Sequence, residues 1–243
     1  MTANSSPISV KALRALMRRG FYPTVSPRRY QGSRSSSLTG TVAKRVFDIC
    51  FSLSVLVLCS PLYLAIALMI AVSSPGPIFY VQERVGRKFK RFKCIKFRTM
   101  VTNADEVLEK LMAGCPQTRE EFEKNFKLRN DPRITWIGKF LRLTSLDEFP
   151  QFWNVLKGDM SLVGPRPLVP EELHKYGRQI NQVLSIKPGL TGLWQVSGRN
   201  DIPYPERVQI DVYYVYYRTM TLDLLIIAKT LGVMLFPNNN GAY

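Results

Sequence analysis

An adjacent pair of carboxylates, Asp147-Glu148, is the part of this chain best suited to chemistry. An ionised aspartate is an oxygen nucleophile, but it attacks phosphorus only when the repulsion between two anions is neutralised. Arg142, five residues earlier, and Arg166 can each supply a planar guanidinium fork, and a magnesium ion can supply the remaining charge. The same residues also have a purely structural reading. Ser145-x-x-Glu148 has the spacing of a capping box, and an acid in a first helical turn complements the helix dipole. Spacing alone leaves both readings open and leans to the cap. Few other chemistries remain. There is one histidine, His174, and the four cysteines (Cys50, Cys59, Cys94, Cys115) form no C-x-x-C pair. A zinc site of protein ligands and a Ser-His-Asp triad are therefore not expected, and scattered thiols suit a reducing compartment.

The elements that must position these groups start from composition. With 243 residues, 46% of them hydrophobic, the chain suits one domain with an appendage, not a disordered or collagen-like protein. The net charge of +16 is unevenly placed: residues 1–45 hold nine basic residues and no acid, and residues 73–100 hold eight against Glu83 alone. The excess flanks one apolar segment, which points to anionic lipid as a partner, with no nucleic acid expected. That segment, Ile49–Val72, is 24 residues without a charge. As one helix it would be ~36 Å long, enough to span a bilayer. Two features favour a re-entrant helix instead. Both flanks are basic and so prefer the same side, and Ser60-Pro61 breaks the run at its middle, with the Ser60 hydroxyl available to a freed carbonyl. Asp48 at the boundary would need a partner, and Lys44 or Arg45, one turn earlier, is the natural one.

The expected organisation is a basic, mostly disordered arm (1–43) with a basic amphipathic stretch near Val10–Arg19, then a re-entrant helix-break-helix (44–74), a catalytic domain (75–236) and a tail (237–243). The fold class is α/β, mostly helical with a small β-hairpin: strands over Ile78–Gln82 and Phe89–Arg98 around Gly86-Arg87-Lys88, then helices over Ala104–Met112 (Asn103 as cap), Glu120–Phe126 (Thr118 as cap), Ile134–Leu143, Leu146–Leu156, Glu206–Tyr217 and Leu222–Leu235. Lys187–Asn200 reads as a loop, and the last helix suits a lipid surface. His174 and Asp159 read as surface or turn residues, and Trp153, Trp194 and the Tyr213–Tyr217 cluster as core or interface aromatics, though Trp194 could stack a base.

Seven motifs occur in order: Lys44-Arg45-x-x-Asp48, Ser60-Pro61, Lys96-Phe97-Arg98-Thr99-Met100, Arg142 to Glu148, Lys157 to Pro167, Lys187-Pro188-Gly189-Leu190-Thr191-Gly192 and Asp211-Val212-Tyr213-Tyr214. Together, from about Lys44 to Phe236, they resemble the bacterial sugar transferases, the monotopic phosphoglycosyl transferases. The resemblance implies transfer of a hexose-1-phosphate from a UDP-sugar to polyprenyl phosphate (undecaprenyl phosphate), with Mg2+ and release of UMP. It implies Asp147 as nucleophile and metal ligand, and Glu148 as base or metal-side partner. Lys96, Arg142 and Arg166 match positions that contact phosphate or nucleotide. Arg98, beside Lys96 on its strand, and Asp211, which matches a family acid, join the candidate substrate set, although each could be a plain surface charge. The implied place is the cytoplasmic face of a bacterial inner membrane, entered from one side, with a homo-oligomer open. Gly192 to Arg199 resembles glucose- or galactose-handling members. Larger relatives carry a multi-span N-terminal region that these residues do not show. The rival reading is a membrane-anchored basic module that binds lipid, polysaccharide or nucleic acid without turnover.

Overall fold

The computed structural model describes residues 38–125, 128, 131–198 and 202–235. The Val10–Arg19 stretch and the 237–243 tail lie outside them. Helix α1 (Leu38–Leu58) starts within the segment expected to be arm, six residues before Lys44, and helix α2 (Ser60–Ser73) follows after a single residue. The two are bent by 61°, and no single described helix is long and apolar enough to cross a membrane. Pro61 sits in the first turn of α2, where its missing N–H costs least. The Cys59 amide still reaches the Val55 carbonyl and the Tyr63 amide reaches the Cys59 carbonyl, so the bend is bracketed by ordinary helical bonds. The Ser60 hydroxyl does not fill the break as expected. Its side chain is exposed, and Ser54 is the serine that bonds a carbonyl one turn back, at Cys50.

α1 has two faces. Phe47, Phe51, Val55 and Leu56 pack on the main core, whereas Val42, Val46, Ile49, Leu53 and Val57 form an exposed apolar stripe at helical spacing. An exposed apolar stripe suits a contact with lipid or another protein. The expected boundary pair of Asp48 with Lys44 or Arg45 is not formed. Lys44 Nζ pairs with Asp223 at 2.6 Å, Arg45 donates to the Val155 and Leu156 carbonyls at 2.6 and 2.7 Å, and Asp48 accepts from Ser161 Oγ and the Leu162 amide. The reason is tertiary. This end of α1 is pressed against the rest of the fold, where orphan carbonyls at a helix end and a buried strand amide need partners more than neighbouring side chains do.

Strands β1 (Phe79–Val85) and β2 (Arg91–Phe97) form an antiparallel hairpin in register Phe79↔Phe97 to Val85↔Arg91, closed by a 3₁₀ turn at Arg87–Phe89. Helices α3 (Ala104–Gly114) and α4 (Pro116–Asn125) follow. Asn103 does not cap α3 through its side chain, and α4 begins two residues before Thr118. Helix α5 (Trp136–Thr144) is capped by Thr135, whose hydroxyl accepts from the Gly138 amide. It turns Ile137 and Leu141 inward against Ile66, Ile70 and Phe97. The helix expected over Leu146–Leu156 is divided into a 3₁₀ turn, Leu146–Glu148, and α6 (Gln151–Lys157). β3 (Ser161–Val163), in a stretch given no element, and β4 (Gly189–Thr191), within the stretch read as a loop, pair in parallel, joined through a long 3₁₀ segment and the short helix α7 (Ile180–Val183). Three-residue strands carry no periodic signal, and only their tertiary partner makes them strands. Helices α8 (Tyr204–Tyr217) and α9 (Met220–Leu235) close the fold, α9 turning Asp223 and Ile226 inward and Leu224, Leu225 and Leu231 outward.

Candidate active site

Three short segments build the site. The first is the end of β2, which presents Lys96. The second is the link from α5 to α6. Ser145 ends α5 in a left-handed conformation (φ 59°), with its amide closing on the Arg142 and Leu141 carbonyls, and its side chain does not cap the turn that follows. The capping box is therefore absent: Glu148 does not reach back along the chain but accepts from Lys96 Nζ at 2.6 Å. The third is the loop after β3, which carries Arg166. It is fixed where Gly164 meets Gly189: a Cβ on Gly164 would lie 2.7 Å from the Gly189 amide nitrogen, and that amide donates to the Pro165 carbonyl at 2.8 Å.

Two residues not singled out from the sequence lock these parts together. Asn154, wholly buried on α6, donates to the Lys93 carbonyl at 2.7 Å and accepts from the Ile95 amide at 3.1 Å. It thereby pins α6, and the carboxylate turn before it, to the strand that carries Lys96. An asparagine inside the otherwise apolar run Phe152-Trp153-Asn154-Val155-Leu156 was the available signal. Arg84, buried on β1, donates to the Pro167 carbonyl at 3.1 Å and to Gln82, and its Nε has no partner among the described residues. Gly138 sets the approach of α5, because a Cβ there would fall 2.0 Å from the Thr99 oxygen. This contact puts Arg142 Nε on Thr99 Oγ1 at 3.0 Å, beside Asp147.

Lys96, Glu148, Arg166, Arg84, Gln151 and Gln195 line one pocket. Arg166 has no hydrogen bond or ion pair among the described residues, and its charge acts on Glu148. Asp147 is not a wall of this pocket; it lies next to it on the same turn, within the fields of Lys96, Glu148 and Arg142. Desolvation by the surrounding protein, reinforced by Glu148, pushes the Asp147 carboxyl up to about 6 against the pull of Lys96 and Arg142. Glu148 goes the other way. Burial opposes its charge, but the field and hydrogen bond of Lys96, with Arg166 and Arg84, outweigh burial and hold it below the ordinary glutamate range. Two neighbouring carboxylates thus have separated titrations, a pattern typical of reactive sites. Among the described residues no cluster of three or more acidic, histidine or cysteine side chains forms a metal cage. One or two carboxylates completed by substrate phosphates is nevertheless the usual donor set for Mg2+, and the dyad fits it.

The other candidates lie elsewhere. Arg98 is buried and gives its guanidinium to the Ser74 and Pro75 carbonyls and the Ser74 hydroxyl, so it ties the exit of α2 to β2 and does not reach the pocket. Asp211 is buried on α8, accepts from the Tyr176 hydroxyl at 2.9 Å, and is raised by burial to about 8 against the pull of that bond, Arg166 and Arg207. Trp194 is core, with the Arg207 guanidinium 4.8 Å over its ring, so that face is closed to a base. Tyr213 and Tyr217 stack at 4.4 Å, Trp153 is exposed, His174 is exposed, and Asp159 faces Lys157 at 3.7 Å in the turn after α6.

Comparison with known proteins agrees with the motif order. The family model for bacterial sugar transferase matches residues 39–237. The chain is 52% identical over 200 residues to the undecaprenyl-phosphate galactose phosphotransferase of Salmonella typhimurium, covering 82% of this chain and 41% of that protein. It is 49% identical over 200 residues to the UDP-galactose-lipid carrier transferase of Erwinia amylovora, with the same coverage. With the exopolysaccharide production protein ExoY of Rhizobium meliloti it shares 46% over 192 residues, 79% of this chain and 85% of that one. The chain thus spans about two fifths of the first two relatives and most of the third.

Proposed function

Because the chain belongs to the bacterial sugar transferase family, we propose that it transfers a hexose-1-phosphate from a UDP-sugar to undecaprenyl or another polyprenyl phosphate, as a first step in making a surface polysaccharide. An Asp147 oxygen attacks the sugar-bearing phosphorus, the bond to the departing UMP phosphate breaks, and an aspartyl-phosphosugar remains. An oxygen of the polyprenyl phosphate then attacks the same phosphorus and restores the carboxylate. Each displacement meets a fixed set of cations: Lys96 and Arg166 at the pocket and Arg142 beside the nucleophile. Mg2+ would be held by Asp147 and Glu148 together with phosphate oxygens, and would add positive charge where negative charge accumulates.

The observation that carries this reading is the convergence of an ion-paired Glu148–Lys96 and an uncommitted Arg166 in one pocket beside an aspartate of raised pKa. Ser145 does not cap the turn that carries the dyad, so the capping-box reading loses its support. The bent helix pair and its exposed apolar stripe support entry into one leaflet from the cytoplasmic side, where a polyprenyl phosphate head and a cytosolic donor meet. The basic flanks suit anionic lipid. Galactose is the preferred sugar after the names of two relatives, and the Gly192 to Arg199 stretch extends the preference to glucose.

Mass spectrometry of protein quenched with UDP-galactose and Mg2+ in the absence of acceptor tests the covalent step. A hexose-phosphate adduct on Asp147, absent in Asp147→Asn, is expected. Full turnover by Asp147→Asn, measured as UMP release, would overturn the proposal.

A further inference from the structure

Beyond the far end of α6 from Glu148, a second cleft of about 240 Å³ opens between the β1–β2 turn and the chain entering β4. Arg87, Lys88, Lys90 and Lys187 line it, against one carboxylate, Asp159. Lys88, Lys90 and Lys187 have no ion-pair partner among the described residues. Arg87 uses only Nε, on the Ser185 carbonyl at 3.2 Å. The turn is tethered a second time where the Lys88 amide donates to the Leu184 carbonyl at 2.7 Å, so these cations stand on a fixed frame and not on a loose hairpin tip.

Lys187 is the most telling of the four. A Cβ on Gly158 would lie 3.3 Å from its Nζ and 3.4 Å from a terminal nitrogen of Arg45, so two like charges converge over that glycine. Arg45 is held in place by the Val155 and Leu156 carbonyls. Burial, then Arg45, lower the Lys187 pKa against the opposing fields of Asp48 and Asp159. An anion in the cleft would compensate its charge.

We infer that this cleft binds a phosphate-bearing anion of about diphosphate size, at a place separate from the transfer pocket. The cleft falls below the ~300–1,000 Å³ of sites for drug-sized molecules and leaves room for more than one phosphate. The two pockets share no lining residue. Phe92 lines this one, and Cys94, two residues along β2, lines the other, with both side chains buried in the core. A diphosphate free in solution and the phosphate of a lipid headgroup offer the same chemistry. The inference does not rest on the transfer reaction.

Titration calorimetry of the full chain in detergent micelles, with inorganic diphosphate and no Mg2+, tests it. Binding is expected to persist in Arg166→Ala and to weaken about tenfold or more in the double variant Lys88→Asn/Lys187→Gln, in which asparagine tolerates the left-handed backbone at position 88. Lys90→Gln, at an exposed position that leaves the fold alone, should weaken it about threefold. Binding that is lost in Arg166→Ala and unchanged in the cleft variants would place the anion in the transfer pocket and overturn the inference. If free diphosphate does not bind, co-sedimentation with vesicles of phosphatidylcholine, alone or mixed with phosphatidylglycerol, decides. A phosphatidylglycerol-dependent gain that the cleft variants lose assigns the site to headgroups; no difference between variants and parent refutes the site.

Discussion

Asp147→Asn should make the protein more stable at pH 8 and leave it nearly unchanged at pH 4. Moving a carboxyl from 3.8 to about 6 disfavours its ionised form by about 3 kcal/mol. The side chain keeps some contact with water, so about 1–3 kcal/mol is a fair expectation. The sign follows from proton counts. Between pH 3.8 and 6 the folded protein holds a proton on Asp147 that the unfolded chain has lost, so this group lowers stability as pH rises through that window. The loss is complete above it. An amide in the same place carries no such cost, and it also relieves Glu148 of a like-charged neighbour. For a domain of this size the gain amounts to roughly 2–10 °C in Tm. Thermal unfolding of parent and variant in the same micelles, at pH 4 and pH 8, reads the difference. An Asp147→Asn effect of equal size at both pH values, or destabilisation at pH 8, would show that the carboxylate is not held in a disfavoured state.

Four further outcomes follow from the same geometry. The donor-only half-reaction should fall tenfold per pH unit below about pH 6, as Asp147 takes up its proton, and a flat rate down to pH 5 would contradict this. Lys96→Met removes the charge and hydrogen bond that hold Glu148 low, and should reduce kcat/KM about 10²-fold, with partial recovery in Lys96→Arg. Arg98→Met should lower stability by about 2–3 kcal/mol with donor KM unchanged; a raised KM in a protein of normal Tm would return Arg98 to the substrate site. Asp48→Ala leaves the Ser161 hydroxyl and Leu162 amide without their acceptor, and should cost about 3 kcal/mol in denaturant unfolding, whereas a neutral result would deny Asp48 its role at β3.

Local pattern already contains the charge asymmetry, the break at Ser60-Pro61, the β1–β2 hairpin, most helices and the candidates Asp147, Glu148, Lys96, Arg142 and Arg166. The elements depend on proline's missing donor and on alternating or helical apolar spacing, which are properties of neighbouring residues, and the full candidate set depends on motifs whose order resembles a family. Partner choice is not such a property. Lys44, Arg45 and Asp48 lie within one turn of one another, yet each bonds a group more than a hundred positions away, because packing buried those distant groups and left them needing charge. The same holds for Glu148, for which spacing leaned to a cap and the fold gave Lys96 as partner. Asn154 and Arg84 matter only once α6 lies along β2 and the Arg166 loop lies along β1. Residue types and order therefore determined which chemistry this chain can perform, and only the tertiary structure decided which charges remain open to perform it, since a charge stays open only where packing gives it no internal partner.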